Sequence, residues 1–176
     1  MTENKAEQML AFFADKINLD NLPLDDQPTY DLFQRADTDG IVMMESNWDK
    51  YDLLQIKPKN FDELAATIAM RHGFAINPYI YTYIKIEKIK PFTYPRFTEI
   101  PKIKEILGDT HGMLLWKEQK EEILDCIASL SDEEKENYNM AIKIVLQEIE
   151  LRSKSLSNRK FFRNRALLCY KLAYIK

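Results

Sequence analysis

The sequence contains few of the residues on which tight turns, metal sites and disulfide frameworks depend. Its 176 residues include four glycines, two histidines and two cysteines. So few glycines disfavour a fold rich in tight turns or a glycine-built phosphate loop, and neither a Walker-type nor a G-x-G-x-x-G pattern occurs. Cys126 and Cys169 are too isolated for a disulfide framework, and both fall in segments with helical patterning. They are predicted to be buried free thiols in a reducing compartment.

Long apolar runs are also absent, since none approaches the roughly 18 residues of a membrane span. The first ten residues, MTENKAEQML, are polar and unlike a secretory signal. The net charge of −3 is mild and indicates no polyanionic partner for the whole surface, while 45% hydrophobic residues fit a globular protein. We expect a cytoplasmic protein without membrane association. Its length predicts one domain over residues 1–176, with a flexible tail at 1–5.

Apolar spacing and capping signatures predict a mainly α, compact multi-helix domain. Asp26, Ser46, Asn60 and Ser131 each precede an apolar-periodic segment and are predicted N-caps. Segment 79–90 mixes strand-forming residue types with a helical face, and we favour a helix there. Extended structure is limited to short pieces such as the apolar residues 41–44. The predicted helices cover 5–17, 27–35, 47–57, 60–71, 79–90, 101–107, 117–129, 131–152 and 160–175.

Residues 23–46 contain six carboxylates, which raises the question of a metal site. A calcium loop of the EF-hand type starting at Asp37 would need glycine at its sixth position and glutamate at its twelfth. Gly40 falls at the fourth position instead, and Trp48 at the twelfth. A two-metal site usually draws acids from adjacent strands, and no strand pair is predicted. These acids are therefore predicted to cap helices and form turns, and we expect no metal and no other cofactor.

The remaining candidates for chemistry are isolated. His72 and His111 are too few for a zinc site, and neither cysteine lies in a recognisable catalytic context. Trp48 and Trp116 are interpreted as core or half-buried anchors rather than as base-stacking platforms.

Four sequence blocks occur in an order that resembles a known family. They are LDNLPLDDQPTYDLFQRADTDGIVMMES, PKNFDELAATIAMRHG, GDTHGMLLWKEQKEEILDCIASLS and NRKFFRNRALLCYKLAYIK. Together they resemble the fingers region of the alpha subunit of bacterial DNA polymerase III. In that family the metal-binding aspartates lie in the palm, upstream of the first block. The resemblance implies a fingers domain of a DNA replication polymerase that is non-catalytic, and not an enzyme, on its own.

Departures from the family pattern fall at basic positions. Asn139 and Met140 stand where the family has two arginines, and Phe161 stands where it has a histidine. Asn158 and Arg159 keep its Asn-Lys pair, and His72 lies where it keeps a basic loop. The resemblance implies that such positions face the incoming nucleotide and the template, so contact with a triphosphate is expected to be weakened.

Charge is uneven at the end of the chain, because residues 152–176 carry eight cations and no acid. This stretch is the predicted surface for weak DNA binding, and the alternative is a solvated helix face. The candidate residues for nucleic-acid or nucleotide binding are Arg71, His72, Asn158, Arg159, Lys160, Arg163 and Arg165.

Three hypotheses remain open from the sequence. The first is a non-catalytic fingers domain that binds nucleic acid weakly. The second is a helical protein-interaction module that keeps the fold without DNA binding and binds a replication protein. The third is an enzyme, either one part of a split DNA polymerase with a separate palm chain or something unrelated.

Overall fold

The structure is a computed structural model that describes residues 2–14, 18–72 and 99–176. Within these ranges the protein is all-α, with nine α-helices, two short 3₁₀ helices and no strand, which confirms the predicted fold class. In chain order these are α1 (Glu3–Phe13), η1 (Leu19–Asn21), α2 (Gln27–Gln34), α3 (Asn47–Ile56), α4 (Phe61–His72), α5 (Pro101–Ile106), η2 (Gly108–Thr110), α6 (Lys117–Ser129), α7 (Asp132–Asn137), α8 (Asn139–Arg152) and α9 (Arg159–Tyr174). No helix of the described ranges is both long and apolar enough to cross a bilayer.

The four predicted N-caps all form. The Asp26 carboxylate accepts the backbone N–H of Thr29 at 3.0 Å, and the Asn60 side chain accepts that of Glu63 at 2.9 Å. Ser46 and Ser131 form reciprocal capping boxes at the starts of α3 and α7. Each cap satisfies a backbone donor that the helix itself leaves unpaired and contributes about 1 kcal/mol.

Two predicted elements differ in the structure. The helix predicted over 131–152 is interrupted at Tyr138 (φ −98°, ψ 12°), because Tyr138 packs against the core that α8 buries whereas α7 buries no residue. Residues 41–44 are largely buried, as expected of an apolar piece, yet they form a turn in which Met43 has a φ of 63°. The helix favoured at 79–90 lies outside the described residues.

The chain divides into two compact units, and the first comprises Met1–Arg71 and Lys160–Lys176. The buried Tyr170 of α9 joins its separate segments. The Tyr170 ring lies 5.5 Å from the ring of Tyr30 in α2 and 6.3 Å from that of Phe61 in α4. Its hydroxyl donates to the carbonyl of Pro23 at 2.7 Å and accepts the N–H of Asp26 at 3.1 Å. The C-terminal helix is thus part of the core of this unit.

The second unit comprises His72–Arg159 and has its own apolar core. Gln119 of α6 is fully buried there, and its side-chain oxygen accepts the N–H groups of Leu115 and Trp116, each at 3.0 Å. The core is formed by Ile100, Ile103, Leu107, Leu114, Ile123, Cys126, Ala141, Val145, Ile149 and Leu156. The single domain predicted over residues 1–176 stays a prediction.

The two cysteines are buried free thiols, one in each unit, as predicted. Burial raises the pKa of the Cys169 thiol to about 12 and also raises that of Cys126.

Candidate nucleic-acid interface

Five of the six carboxylates of residues 23–46 act in a helix cap, a turn or a side-chain pair. Asp26 caps α2, and Glu45 accepts the N–H of Gly40 at 3.0 Å. No group of three or more His, Cys, Asp or Glu within the described ranges could hold a metal ion. Further contacts of these acids include Asp31 with Gln27 at 2.7 Å, Asp37 with Lys176 at 2.5 Å and Asp39 with Lys50 at 2.5 Å.

Arg159, the first residue of α9, belongs to the second unit and is paired with two acids of that same unit. The backbone N–H of Arg159 donates to both carboxylate oxygens of Glu118, at 3.1 and 3.0 Å. The Arg159 guanidinium forms an ion pair with Asp109 at 3.0 Å. Helix N-termini attract anions through their free N–H groups and the helix dipole. At α9 one such N–H is already taken by a carboxylate of the chain itself.

The next two arginines of α9 are paired inside the first unit. Arg163 forms an ion pair with Asp62 of α4, and its guanidinium lies 4.9 Å from the ring of Phe61. Arg165 forms an ion pair with Glu3 of α1, and its guanidinium lies 4.4 Å from the ring of Phe161. Each arginine of the predicted patch therefore has a carboxylate partner from its own chain.

The cations of α9 do not all lie on the same side of the helix. Arg159 and Arg163 project about 40° apart at 100° per residue, whereas Arg163 and Arg165 project about 160° apart. The buried residues Phe162 and Ala166 lie between them. Lys160 is exposed, and no other described residue pairs with it. Arg159, Lys160 and Arg163 therefore share one flank of α9, and Arg165 lies on the other.

Arg71 and His72 form the end of α4. Arg71 Nε donates to Asp52 Oδ2 at 2.5 Å, and Asp52 is only 2% exposed. The carboxylate of Asp52 is buried, so Arg71 neutralises a charge that would be costly alone. Arg71 lies nine positions after Asp62, the partner of Arg163, so about 13 Å of helix lies between them. The exposed His72 ends the helix, and the exposed Asn158 precedes α9.

Sequence reasoning missed the acids that pair with this patch: Glu3, Asp62, Asp109 and Glu118. The available signal was the charge balance, because a chain with a net charge of −3 and an acid-free basic end carries an excess of acids elsewhere.

The prediction that the tryptophans are core or half-buried anchors is confirmed for Trp116, which is 3% exposed, but it is wrong for Trp48, which is 65% exposed. Trp48 lies off the buried face of α3, which contains Asp49, Asp52, Leu53 and Ile56.

Residues 3–156 match the family model of the bacterial DNA polymerase III alpha subunit finger domain. This chain belongs to that family. The match confirms the resemblance found in the sequence. It ends before α9, so five of the candidate residues lie outside it, and Arg71 and His72 lie inside it.

Curated relatives of this fingers-family chain agree with the family model. It is 32% identical over 128 residues to a DNA polymerase III subunit alpha of Aquifex aeolicus, covering 72% of this chain and 11% of the relative. It is 32% identical over 129 residues to an error-prone DNA polymerase of Pseudomonas syringae, covering 70% and 12%. A DNA polymerase III subunit alpha of Mycobacterium tuberculosis is 32% identical over 120 residues, covering 65% and 10%. The chain spans about one tenth of the length of these relatives.

Proposed function

We propose that this fingers-family chain contacts nucleic acid weakly in DNA replication and does not by itself catalyse phosphoryl transfer. The observation that carries the proposal is the flank of α9, where the exposed Lys160 projects about 60° from Arg163 and about 100° from Arg159 on an acid-free segment. Arginine and lysine at such spacing match the negative charge of a phosphate backbone.

The ion pairs of this flank make the binding weak. A phosphate that contacts Arg163 competes with Asp62, and one that contacts Arg159 competes with Asp109. Partly exposed ion pairs contribute only about 0–1 kcal/mol, so an exchange of partners is feasible but gains little. We expect a dissociation constant around micromolar or weaker at low salt, with a slope of about −0.7 per neutralised phosphate on single strands.

Fluorescence anisotropy with labelled single-stranded and primer-template DNA at two salt concentrations tests this proposal. Lys160→Gln is expected to weaken binding, and replacing Arg159, Lys160, Arg163 and Arg165 together by Gln is expected to abolish it. Asp62→Asn removes the competitor of Arg163 and is expected to tighten binding. Glu133→Gln, an equal charge change on the exposed surface of α7, is the control. Equal effects of Asp62→Asn and Glu133→Gln, or no binding at the lower salt, would contradict the α9 interface.

The absence of catalysis is proposed from the roles of the acids. Phosphoryl transfer needs carboxylates that converge on metal ions. Five of the six acids of residues 23–46 are engaged instead in a cap, a turn or side-chain pairs. The purified chain with primer-template, deoxynucleotides and magnesium is expected not to extend the primer. Extension that copurifies with the chain and disappears in Asp37→Ala, Asp39→Ala would refute this. Extension only after addition of a separate palm-containing chain would point to a split polymerase.

The surface of α8 favours the second candidate, a protein-interaction module. Met140 and Leu151 are 58% and 79% exposed and project about 20° apart on that helix. This candidate would be supported against the first if the chain did not bind DNA but formed a stable complex with a purified replication protein. The double variant Met140→Ser, Leu151→Ser should then lose that complex.

A further inference from the structure

The outer face of α3, defined here as Asn47, Trp48, Lys50, Tyr51 and Leu54, presents large side chains to solvent. Trp48 is 65% exposed, and Tyr51 and Leu54 are each 46% exposed. Tryptophan and tyrosine are usually buried or half-buried in a folded protein. Their Cβ atoms, three positions apart in a helix, are separated by roughly 5–6 Å. Two aromatic side chains therefore stand next to each other on the surface of the first unit.

The two acids of α3 point away from this face. Asp49 is 5% exposed and accepts the N–H of Ser46 at 3.1 Å in the capping box. Asp52 is 2% exposed and pairs with Arg71. The outer face of α3 therefore contains an amide and a lysine but no carboxylate. An acid does lie beside it, since Lys50 pairs with the exposed Asp39 at 2.5 Å.

A cation lies close to the exposed indole. The guanidinium carbon of Arg71 is 5.9 Å from the centroid of the Trp48 ring, within the range of a cation–π contact. The buried carboxylate of Asp52 holds that guanidinium in place by accepting a hydrogen bond from Arg71 Nε. Arg71 thus places a planar guanidinium beside the exposed indole, although its charge is balanced by Asp52.

We infer that the outer face of α3 is a stacking platform for unpaired bases of single-stranded nucleic acid. Every base has a π-face, so Trp48 and Tyr51 can each stack a base without regard to sequence. The ion pair of Lys50 with Asp39 is solvent-exposed and weak, so a backbone phosphate can replace Asp39 as the partner of Lys50. The outward positions carry no carboxylate that would repel a polyanion, and the adjacent exposed rings of Trp48 and Tyr51 favour stacked bases over an acidic protein surface. The inference rests on the proposed function in one respect, namely that nucleic acid is the ligand. The residues of the outer face of α3 are separate from those of the α9 flank.

Tryptophan fluorescence tests the platform directly. The two tryptophans differ in exposure, 65% for Trp48 and 3% for Trp116, so a surface ligand changes the emission of Trp48. Titration with a short unlabelled oligo(dT) is expected to quench it. Trp48→Leu is expected to weaken binding roughly 5- to 150-fold, which corresponds to one lost base stack. Phe12→Leu replaces another exposed aromatic of the first unit and is the matched control, expected to bind like the wild type.

A second variant separates this platform from the α9 interface. Lys160→Gln, Arg163→Gln, Asp62→Asn removes cations of α9 and the partner acid together, so that no acid is left unpaired. Quenching of Trp48 that persists in this variant and a binding loss in Trp48→Leu support the platform. Absence of quenching in the wild type, or equal binding by wild type and Trp48→Leu, overturns it whatever the anisotropy experiment gives. Unchanged anisotropy in the α9 variant with intact quenching overturns the α9 interface alone. A protein complex that depends on Trp48 while oligo(dT) binding does not would assign this face to a protein partner and overturn the inference.

Discussion

The chain contains the pattern D-T-x-G twice, DTDG at 37–40 in the first unit and DTHG at 109–112 in the second. Both threonines are fully buried, and each hydroxyl donates to a backbone carbonyl further on, Met44 for Thr38 and Met113 for Thr110. Each threonine carbonyl also accepts the N–H three residues later, at 3.0 Å in both turns. The same four-residue pattern thus builds a similar turn in two unrelated surroundings.

The two turns differ in what holds them. In the first, the acids pair with lysines at the surface, and only the glycine, Gly40, has a positive φ. In the second, His111 and Gly112 both have a positive φ, of 51° and 85°. The Gln119 amide there donates to Thr110 Oγ1 at 2.7 Å and to Asp109 Oδ1 at 3.1 Å. A turn that depends on a buried amide should be more sensitive to mutation than one supported by screened surface ion pairs.

Loss of the buried amide should produce the largest difference between the turns. Gln119→Leu keeps the approximate shape but leaves the N–H groups of Leu115 and Trp116 unpaired, so we expect a loss of about 2–4 kcal/mol. Glu45→Leu, which removes the acceptor of Gly40 N–H in the first turn, should cost about 1 kcal/mol or less. Urea denaturation followed by far-ultraviolet circular dichroism measures both. A comparable loss in the two variants would remove the proposed distinction.

The threonine hydroxyls should matter in both turns, and more in the second, where Thr110 Oγ1 also accepts a hydrogen bond from the Gln119 amide at 2.7 Å. Thr38→Val and Thr110→Val each leave a buried carbonyl without its hydroxyl donor, and we expect about 1–3 kcal/mol from either change. Thr67→Val is the control, because that buried hydroxyl donates to the helical carbonyl of Glu63. The helix already supplies that carbonyl with a partner, so little change is expected. A larger loss for Thr38→Val than for Thr110→Val would contradict this order.

Glycine substitution separates backbone conformation from available space. Gly40 has a φ of 82° and no atom within 4 Å of an added Cβ, so Gly40→Ala suffers only the left-handed penalty of about 1 kcal/mol. Gly40→Val should lose at least as much. Gly108 also has open space but no positive φ, so Gly108→Ala should be neutral or stabilising by about 0.5 kcal/mol. Thermal unfolding ranks the variants, and the opposite order for the two alanines would refute the conformational explanation.

The smallest expected effect is the pH dependence of the first turn. The hydrogen bond and charge of Lys50 lower the pKa of the exposed Asp39. A carboxyl whose pKa is lower in the folded state stabilises that state above its unfolded pKa and loses the contribution as the pH falls through the folded value. NMR titration should show a higher Asp39 pKa in Lys50→Gln, with a slightly smaller acid sensitivity of unfolding. An unchanged Asp39 pKa would show that Lys50 is not its partner in solution.

Local sequence signals predicted a large part of the fold. Asp26, Ser46, Asn60 and Ser131 cap their helices as expected, because a capping side chain reaches a backbone donor only three residues away. The helix boundary at Tyr138 was missed, since the interruption depends on burial of Tyr138 against a core that periodicity alone does not define. The turn at 41–44 was missed because an apolar run fits either an extended segment or a buried turn.

The candidate interface shows the limit of such signals. The sequence located the basic C-terminal stretch and the family, and it indicated capping and turn roles for the acids of residues 23–46. It could not show that Arg165 pairs with Glu3, that Arg163 pairs with Asp62, or that Trp48 is exposed. Helix periodicity and caps act over three or four residues, so the local sequence determines them. Ion pairs and exposure depend on distances in space between segments remote in the chain, as with Glu118 and the N–H of Arg159, which are 41 residues apart. Only the tertiary structure decides those, because charge attraction and burial act through space rather than along the chain.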